Sequence, residues 1–487
     1  MGMNKRHLVG PAARLFRLLF ASILLVLAGR TFNAGGQTET NLYSFGISPG
    51  DGQQPWAGLV QGSDGNFYGT TYGGGTHSSG TVFRISPGGS YTNLYSFGSS
   101  PNDGIQPQAG LVQGSDGNFY GTTWLGGTST NCPDLGCGTV YRISPDGTET
   151  TLYSFTRSAN DGAFPNSVLV QSSDGNLYGT TGIGGPYGRG TVFRISPSGN
   201  HTNLYSFGPP PDGSNPFAAL VEGSDGNFYG TTGGGAYGSG TVFRISPDGN
   251  YTNLYSFGSH PNDGSDPHAG LVRGSDGNFY GTTAYGGAST NCNGGGCGTI
   301  FRIGPSGNYT NLYSFGGHPN GWYAFAGLVQ GSDGDFYGTT VGGGQYGQGN
   351  IFRISPSGSC TNVYSLGSSP NDGIQPLAGL VQGSDGSFYG TTYIGGTTNE
   401  GTVFKLTIPL NPPANQISGV QMSGSDIVFT IPSVAYETYQ LQFSSSMNPT
   451  NWINEGGSIT SVGALLTVTN LGGATGPQGL YRFAITP

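Results

Sequence analysis

The word Leu-Tyr-Ser-Phe begins at Leu42 and returns at Leu94, Leu152, Leu204, Leu254 and Leu312, with a degenerate copy, VYSL, at Val363. The intervals are 52, 58, 52, 50, 58 and 51 residues. Three further words travel with it. GLVQ or a close variant precedes SDGNFYGTT, whose aspartate stands at 64, 116, 174, 225, 276, 333 and 385. GTVFRI or a variant follows from Gly80, Gly138, Gly190, Gly240, Gly298, Gly349 and Gly401. A period near fifty residues implies one supersecondary unit stacked on copies of itself, in the size class of kelch-type propellers.

Each unit reads as four short strands: a (GLVQ), b (NFYGTT), c (TVFRI) and d (TNLYSF). Val, Ile, Thr, Tyr and Phe suit a pleated surface. Asp-Gly or Ser-Gly at the a–b and c–d joints supplies the positive φ of a tight hairpin. Adjacent Phe67 and Tyr68 point to opposite faces, so both faces are apolar and need cover. Stacked blades provide that cover. The phase of the words favours a ring. The first element is a d strand around Leu42 and the last is a c strand, Thr402 to Leu406. If Thr40–Phe45 completes the last blade, no edge is left unpaired. The sequence therefore predicts an all-β, seven-bladed β-propeller over residues 40–407, closed by its own N-terminal strand.

Composition alone would suggest disorder, with 94 Gly and 30 Pro. Aromatic residues nevertheless make up 12% of the chain and recur at fixed places. Residues 1–34 read as a signal peptide. Lys5, Arg6, Arg14 and Arg17 precede an apolar run, Leu18 to Ala28, too short to span a bilayer. Cleavage is expected after Ala28 or Ala34, with no membrane span afterwards. Charged residues are only 8% and the net charge is −9. After the leader and the repeated cation of strand c, four basic residues remain, too few for a phosphate backbone, so no nucleic-acid partner is expected.

The string LYSF…GLVQGSDGNFYGTT…GGGTVFRISPDG resembles the Gloeobacter/Verrucomicrobia tandem repeat of exported bacterial proteins. The resemblance implies an extracellular or surface-associated propeller and brings no catalytic residues. Residues 408–416 read as a linker. From 417 to 487 the repeat is gone, and alternating runs at Asp426–Ile431, Thr438–Phe443, Ala464–Thr469 and Leu480–Ile485 predict a small β-sandwich. That segment resembles immunoglobulin-like or fibronectin-like modules. The last residues, LYRFAITP, carry no apolar tail of the kind that would act as a sorting anchor.

Cys132 with Cys137, and Cys292 with Cys297, lie in b–c loops of blades two and five and are expected to form local disulfides. Cys360 is expected to be unpaired. The SDG aspartates read as turn residues. A second acidic set, Asp51, Asp103, Asp161, Asp212, Asp263 and Asp372, also reads as turn residues, and as a set is expected to line one rim and give it a negative field. Arg84, Arg142, Arg194, Arg244, Arg302, Arg353 and Lys405 share one position in strand c, and we expect each to pair with an SDG aspartate. No nucleophile elbow, zinc-protease motif or P-loop occurs. No catalytic residue, metal site or cofactor is expected. The longer b–c and d–a loops share one face, where binding tends to reside. Trp56, Trp124, Trp322 and Tyr393 are the ligand-binding candidates, and aromatic rings beside Gly-, Asn- and Thr-rich loops suit sugars. The expectation is a monomeric, secreted binding or scaffold propeller for a glycan or a cell-surface protein. The alternative is a secreted hydrolase or lyase acting on polysaccharide.

Overall fold

A computed structural model describes residues 37–132, 135–292 and 295–408, and strand segments within 419–486. The expected leader, and all but the first residue of the expected linker, lie outside the described residues.

Residues Gln37–Ile408 form one compact unit of seven four-stranded antiparallel sheets. In blade one, strand a is Val60–Gln61, b is Phe67–Thr71, c is Thr81–Ile85 and d is Tyr91–Ser96. Blade seven takes a, b and c from Val381–Gln382, Phe388–Thr392 and Thr402–Thr407. Its d strand is Thr38–Ser44, from the other end of the unit. The pairing runs from Thr38 opposite Thr407 to Ser44 opposite Thr402, with a bulge at Leu42. The ring is closed as the phase of the repeat predicts.

The repeated words are the seams between blades. Phe and Tyr of strand b are fully buried on opposite faces. Tyr68 stacks on Phe119 of the next blade at 3.9 Å, and Tyr389 stacks on Phe67 at 4.0 Å where blade seven meets blade one. Such pairs contribute about 1 kcal/mol each beyond the area they bury. The first Thr of GTT donates to a backbone carbonyl just before strand a of the next blade: Thr70 to Ala109 at 2.9 Å, and Thr391 to Ala57 at 2.9 Å across the closure. The second Thr bonds the Thr that opens strand c, as in Thr71 and Thr81 at 2.8 Å. Asn93 of TNLYSF reaches the preceding d–a loop at Gly50 O, 2.9 Å away.

Strand a ends in a Gln that clasps the preceding blade. Gln61 accepts from Ser384 N at 2.9 Å and donates to Ser384 Oγ at 3.2 Å. Gln113, Gln171, Gln330 and Gln382 likewise accept a backbone N–H of the preceding blade. Glu222 keeps only the Ser172 hydroxyl, and in blade five Arg273 stands in the Gln position.

Two glycines show why the words cannot drift. Gly69 in FYGTT lies under Phe83, whose Cζ would be 2.6 Å from an added Cβ. Gly65 of SDG has φ +80°, open space around it, and the left-handed backbone the hairpin needs.

In the C-terminal segment, Gly419–Ser423, Asp426–Ser433 and Ala464–Asn470 form one antiparallel sheet. Thr438–Ser444 pairs with Leu480–Thr486 and two short strands in another. All four alternating runs singled out in the sequence are strands.

Candidate binding face at the axial mouth

The segment leading into strand a lies nearest the ring axis. A Cβ on Gly58 would sit 3.0 Å from Gly379 O, on Gly110 3.1 Å from Gly58 O, and on Gly379 3.0 Å from Gly327 O. Equivalent backbones of consecutive blades can touch in this way only close to the axis. Immediately before these contacts each blade presents one residue that the repeat does not fix: Trp56, Gln108, Asn166, Phe217, His268, Phe325 and Leu377.

Two residues upstream, every blade holds a non-glycine residue in the left-handed region: Gln54, Gln106, Phe164, Asn215, Asp266, Tyr323 and Gln375, with φ between 55° and 61°. This conformation costs on the order of 1 kcal/mol and persists only where neighbours enforce it. They do so through two hydrogen bonds. Gln54 N donates to Glu400 O of the preceding blade at 2.8 Å, and Gln54 O accepts from Tyr72 N at 3.1 Å. The same pair recurs at Gln106, Phe164, Asn215, Asp266, Tyr323 and Gln375. The loops are thus a rigid frame with variable side chains.

Those side chains gather in three groups. Trp56, 40% exposed, meets the edge of Tyr393 at 5.2 Å and lies 5.9 Å from Tyr72. The Tyr393 hydroxyl donates to Gln54 Oε1 at 3.4 Å. Trp124 lies 5.7 Å from Phe164. In the third group His268 stacks on Phe217 at 5.8 Å and meets Phe325 edge-on at 5.3 Å, while Tyr285 meets Tyr323 at 5.1 Å. Asp266 Oδ2 is 3.0 Å from His268 Nε2 and can orient the imidazole. Among the described residues no cluster of three or more His, Cys, Asp or Glu could hold a metal ion.

Of the four candidates from sequence, Trp56 and Tyr393 come together, and Trp124 stands with Phe164 on the neighbouring stretch of the mouth. Trp322 belongs elsewhere. It bridges to Gly342 and packs on the core cluster that contains Cys292 and Cys297. Blade six lacks the loop aspartate, so its residues are displaced by one and Tyr323 and Phe325 take the mouth positions. Sequence reasoning missed Tyr72, Phe164, Phe217, His268, Tyr323 and Phe325. Aligning the seven copies against one another would have found them, because these positions vary within otherwise repeated text.

The second acidic set does not form a charged rim. Asp51, Asp103, Asp161 and Asp372 are 4–6% exposed. Asp51 accepts from Tyr43 Oη at 2.9 Å and from the backbone N–H groups of Gly46, Ile47 and Gly52. Tyr95, Tyr153, Tyr205 and Tyr255 donate to Asp103, Asp161, Asp212 and Asp263 in the same way. In these five the tyrosine of LYSF draws the carboxylate inward to hold the d–a loop, while Asp372 is held by Gly367 N, Ser368 N and the Ser368 hydroxyl.

The expected pairing of strand c cations with SDG aspartates occurs in two blades. Arg353 is 3.2 Å from Asp333, and Lys405 is 2.7 Å from Asp385. In the first five blades the aspartate has other partners. Asp64 accepts from Tyr68 Oη at 2.9 Å, Asn66 Nδ2 at 2.7 Å and Asn66 N at 3.1 Å. Blades six and seven carry Asp335 and Ser387 where the others carry that Asn, which leaves an oxygen for the cation. Burial opposes ionisation of Asp64, but these hydrogen bonds outweigh it and hold the carboxyl below its ordinary value.

Cys132–Cys137 and Cys292–Cys297 are disulfides, and Cys360 is free, as expected. Asn131 and Asn291, beside the bridges, donate to Thr156 O at 2.9 Å and Gly316 O at 3.0 Å, docking the inserted loops on the following d–a loops.

The profile of the Gloeobacter/Verrucomicrobia repeat matches residues 30–157, 133–294 and 234–416. The chain belongs to the Gloeobacter/Verrucomicrobia repeat family. No curated protein matches it. Among solved structures, PorZ, a bacterial surface component of the type-IX secretion system of Porphyromonas gingivalis, aligns at 17% identity and TM-score 0.47. That alignment covers 90% of this chain and 58% of PorZ, so the chain spans less than two thirds of PorZ's length. A proposed 6-phosphogluconolactonase of Bacteroides uniformis aligns at 15% identity and TM-score 0.43, covering 85% of this chain and 100% of its own. One from Bacteroides fragilis gives 16%, 0.42, 84% and 97%. In this member of the repeat family the seven mouth positions differ between copies, while most of the repeated words form the seams between blades.

Proposed function

We propose that this repeat-family ring is a surface-exposed binding scaffold that seats a glycan on its axial mouth. The observation that carries the reading is Trp56, a large ring 40% exposed yet held from the side by Tyr393 and Tyr72. A rigid aromatic plate with an amide side chain in the same group, here Gln54, matches a sugar, which offers an apolar face and peripheral hydroxyls. The two disulfides support an exported protein, since such bonds persist in oxidising compartments.

A glycan array on the folded chain tests the class of ligand, and quenching or shift of tryptophan fluorescence on binding tests the place. Trp56→Ala is expected to weaken binding at least tenfold and to lower unfolding free energy by about 1–2 kcal/mol, since the ring contacts with Tyr393 and Tyr72 are lost. Unchanged affinity in Trp56→Ala combined with Tyr393→Ala would rule out this mouth.

A further inference from the structure

In each d strand the residue opposite the last residue of the TVFRI word lies at the seam with the preceding blade, beside the tyrosine of LYSF and, at every seam but that of Cys360, the aspartate of the d–a loop. At three seams it is a tyrosine. Tyr91, for example, stacks on Tyr43 at 3.9 Å, where Tyr43 donates to Asp51. Tyr251 and Tyr309 stack likewise on Tyr205 and Tyr255. His201 takes the place at a fourth seam, stacked on Tyr153 and 3.9 Å from Asp161, and Cys360 takes it at a fifth. At the remaining two seams the residue is a glutamate, Glu149 beside Asp103 and Glu39 beside Asp372.

Both glutamate seams bring a second carboxyl to an aspartate that is already nearly enclosed. Asp103 and Asp372 are 6% and 5% exposed. In each, Oδ2 accepts hydrogen bonds from its own loop while Oδ1 is buried with no partner, as is Oδ1 of Asp263 at the Tyr309 seam. Glu39 Oε1 is also buried without a partner. Asp103 and Glu149 line one cleft of about 370 Å³. Two carboxylates cannot both keep their charge cheaply in such surroundings.

Among the described residues, the other groups around these glutamates do not offer a compensating cation. Glu39 has Asp372 and Tyr364 on the blade-six side. Within its own sheet it lies opposite Leu406, and Lys405 pairs with Thr40 on the other face and reaches Asp385. Glu149 has Asp103 and Tyr95 on the blade-one side and Tyr141 on its own sheet, with Arg142 opposite Thr150 on the other face. Burial first, and the adjacent aspartate second, push both glutamates up to about 7.

Glu39 differs from Glu149 in one respect that gives the pair a consequence. It lies on Thr38–Ser44, the strand that closes the ring. We propose that Glu39 and Asp372 form a proton-operated latch: sharing one proton they hold the closing strand to blade six, and release of that proton to solvent loosens the strand. Glu149 and Asp103 form the same pair inside the chain, where deprotonation weakens a seam and cannot open the ring.

The sign follows from linkage. The native state binds a proton that the opened strand, with an ordinary glutamate, has lost, so opening is favoured as pH rises from about 4.5 to about 7 and levels off above. Hydrogen–deuterium exchange of residues 38–44 in the full chain, corrected for the intrinsic pH dependence, reads that opening. In wild type the opening constant is expected to rise about tenfold per pH unit between roughly 5 and 7. Glu39→Gln is expected to abolish the slope for these residues, and Glu149→Gln to leave it in place. Should Glu39→Gln fold poorly, Glu39→Tyr, which installs the residue of the tyrosine seams, is expected to give the same flat profile. A flat wild-type profile, or an unchanged slope in Glu39→Gln or Glu39→Tyr, would overturn the latch.

Discussion

Asp51 and Asp64 both accept a tyrosine hydroxyl, from Tyr43 and Tyr68, each at 2.9 Å, yet the two carboxylates have different roles. Asp51 is 6% exposed and holds three backbone N–H groups of the d–a loop. Truncating it leaves those donors buried and unpaired. Asp51→Ala is therefore expected to lower unfolding free energy by about 2–4 kcal/mol, read from the urea midpoint. Asp64 sits at an exposed hairpin and gains its partners through the charged form. Asp116, Asp174, Asp225, Asp276 and Asp385 are likewise held below the ordinary value, burial opposing and hydrogen bonds prevailing. A depressed carboxyl contributes stability that is present above its unfolded value, 3.8, and is lost as pH falls through the folded one. The two raised glutamates act in the opposite sense, losing stability as pH rises from about 4.5 toward 7. Thermal unfolding as a function of pH is accordingly expected to give a maximum near pH 4–5. A plateau extending from pH 5 to 8 would contradict it.

Between strands, the words of the repeat divide into those whose partners lie within the blade and those whose partners lie across a seam. The first kind was legible from sequence. Strand order, hairpin joints and the two-faced burial of Phe67 and Tyr68 follow from alternation and turn chemistry, which are local. The second kind was not, because a carboxylate's choice among competing donors depends on three-dimensional proximity. The Arg–Asp pairing failed in five blades for that reason: Tyr68 and Asn66 reach Asp64 before Arg84 can. The Gln clasp at the end of strand a was equally invisible, although its one cationic exception stands out once the copies are aligned. Gln61, Gln113, Gln171, Gln330 and Gln382 tie five blades to their predecessors, Glu222 keeps one bond of the clasp in blade four, and Arg273 breaks the series between blades four and five. Arg273→Gln is expected to restore the clasp to Ser224 and raise stability by about 0.5–1.5 kcal/mol, measured by urea denaturation. No gain would mean that Arg273 has a compensating partner in solution. The mouth residues were half legible. Trp56 and Tyr393 stood out as aromatic, whereas Phe217 and His268 emerge only when the frame at Gln54 and its six equivalents fixes which position faces the axis.

For the whole molecule, closure was the most legible feature, because it is a matter of counting: the d word leads and the c word trails. The structure adds how completely the closing strand is absorbed. Phe45 is fully buried in a cluster with Phe67, Phe83, Tyr389 and Val403, and Phe45 N donates to Gly401 O at 3.0 Å. Tyr43 stacks on Tyr91 of blade one, and Asn41 donates to Asn371 O of blade six at 3.2 Å. The strand therefore touches both neighbours as well as completing its own sheet. Removing residues 38–45 would expose the edge of Thr402–Thr407 and open the cluster around Phe45. Exposed edges pair with other chains, so a truncated ring is expected to self-associate and unfold at lower urea. The missing strand makes few covalent demands, since its contacts are ladder hydrogen bonds and inserted side chains, the two elements of strand addition in trans. A synthetic peptide spanning residues 37–46 is accordingly expected to bind the truncated chain, restore the elution volume of the intact chain and recover most of the lost midpoint. The same peptide with Phe45→Ala should bind at least tenfold more weakly, because burying a phenylalanine contributes about 1.5–3 kcal/mol. A truncated chain that unfolds like wild type, or that ignores the peptide, would show that the ring does not depend on its terminal strand, and the seam contacts of blades six and one would then have to hold blade seven alone.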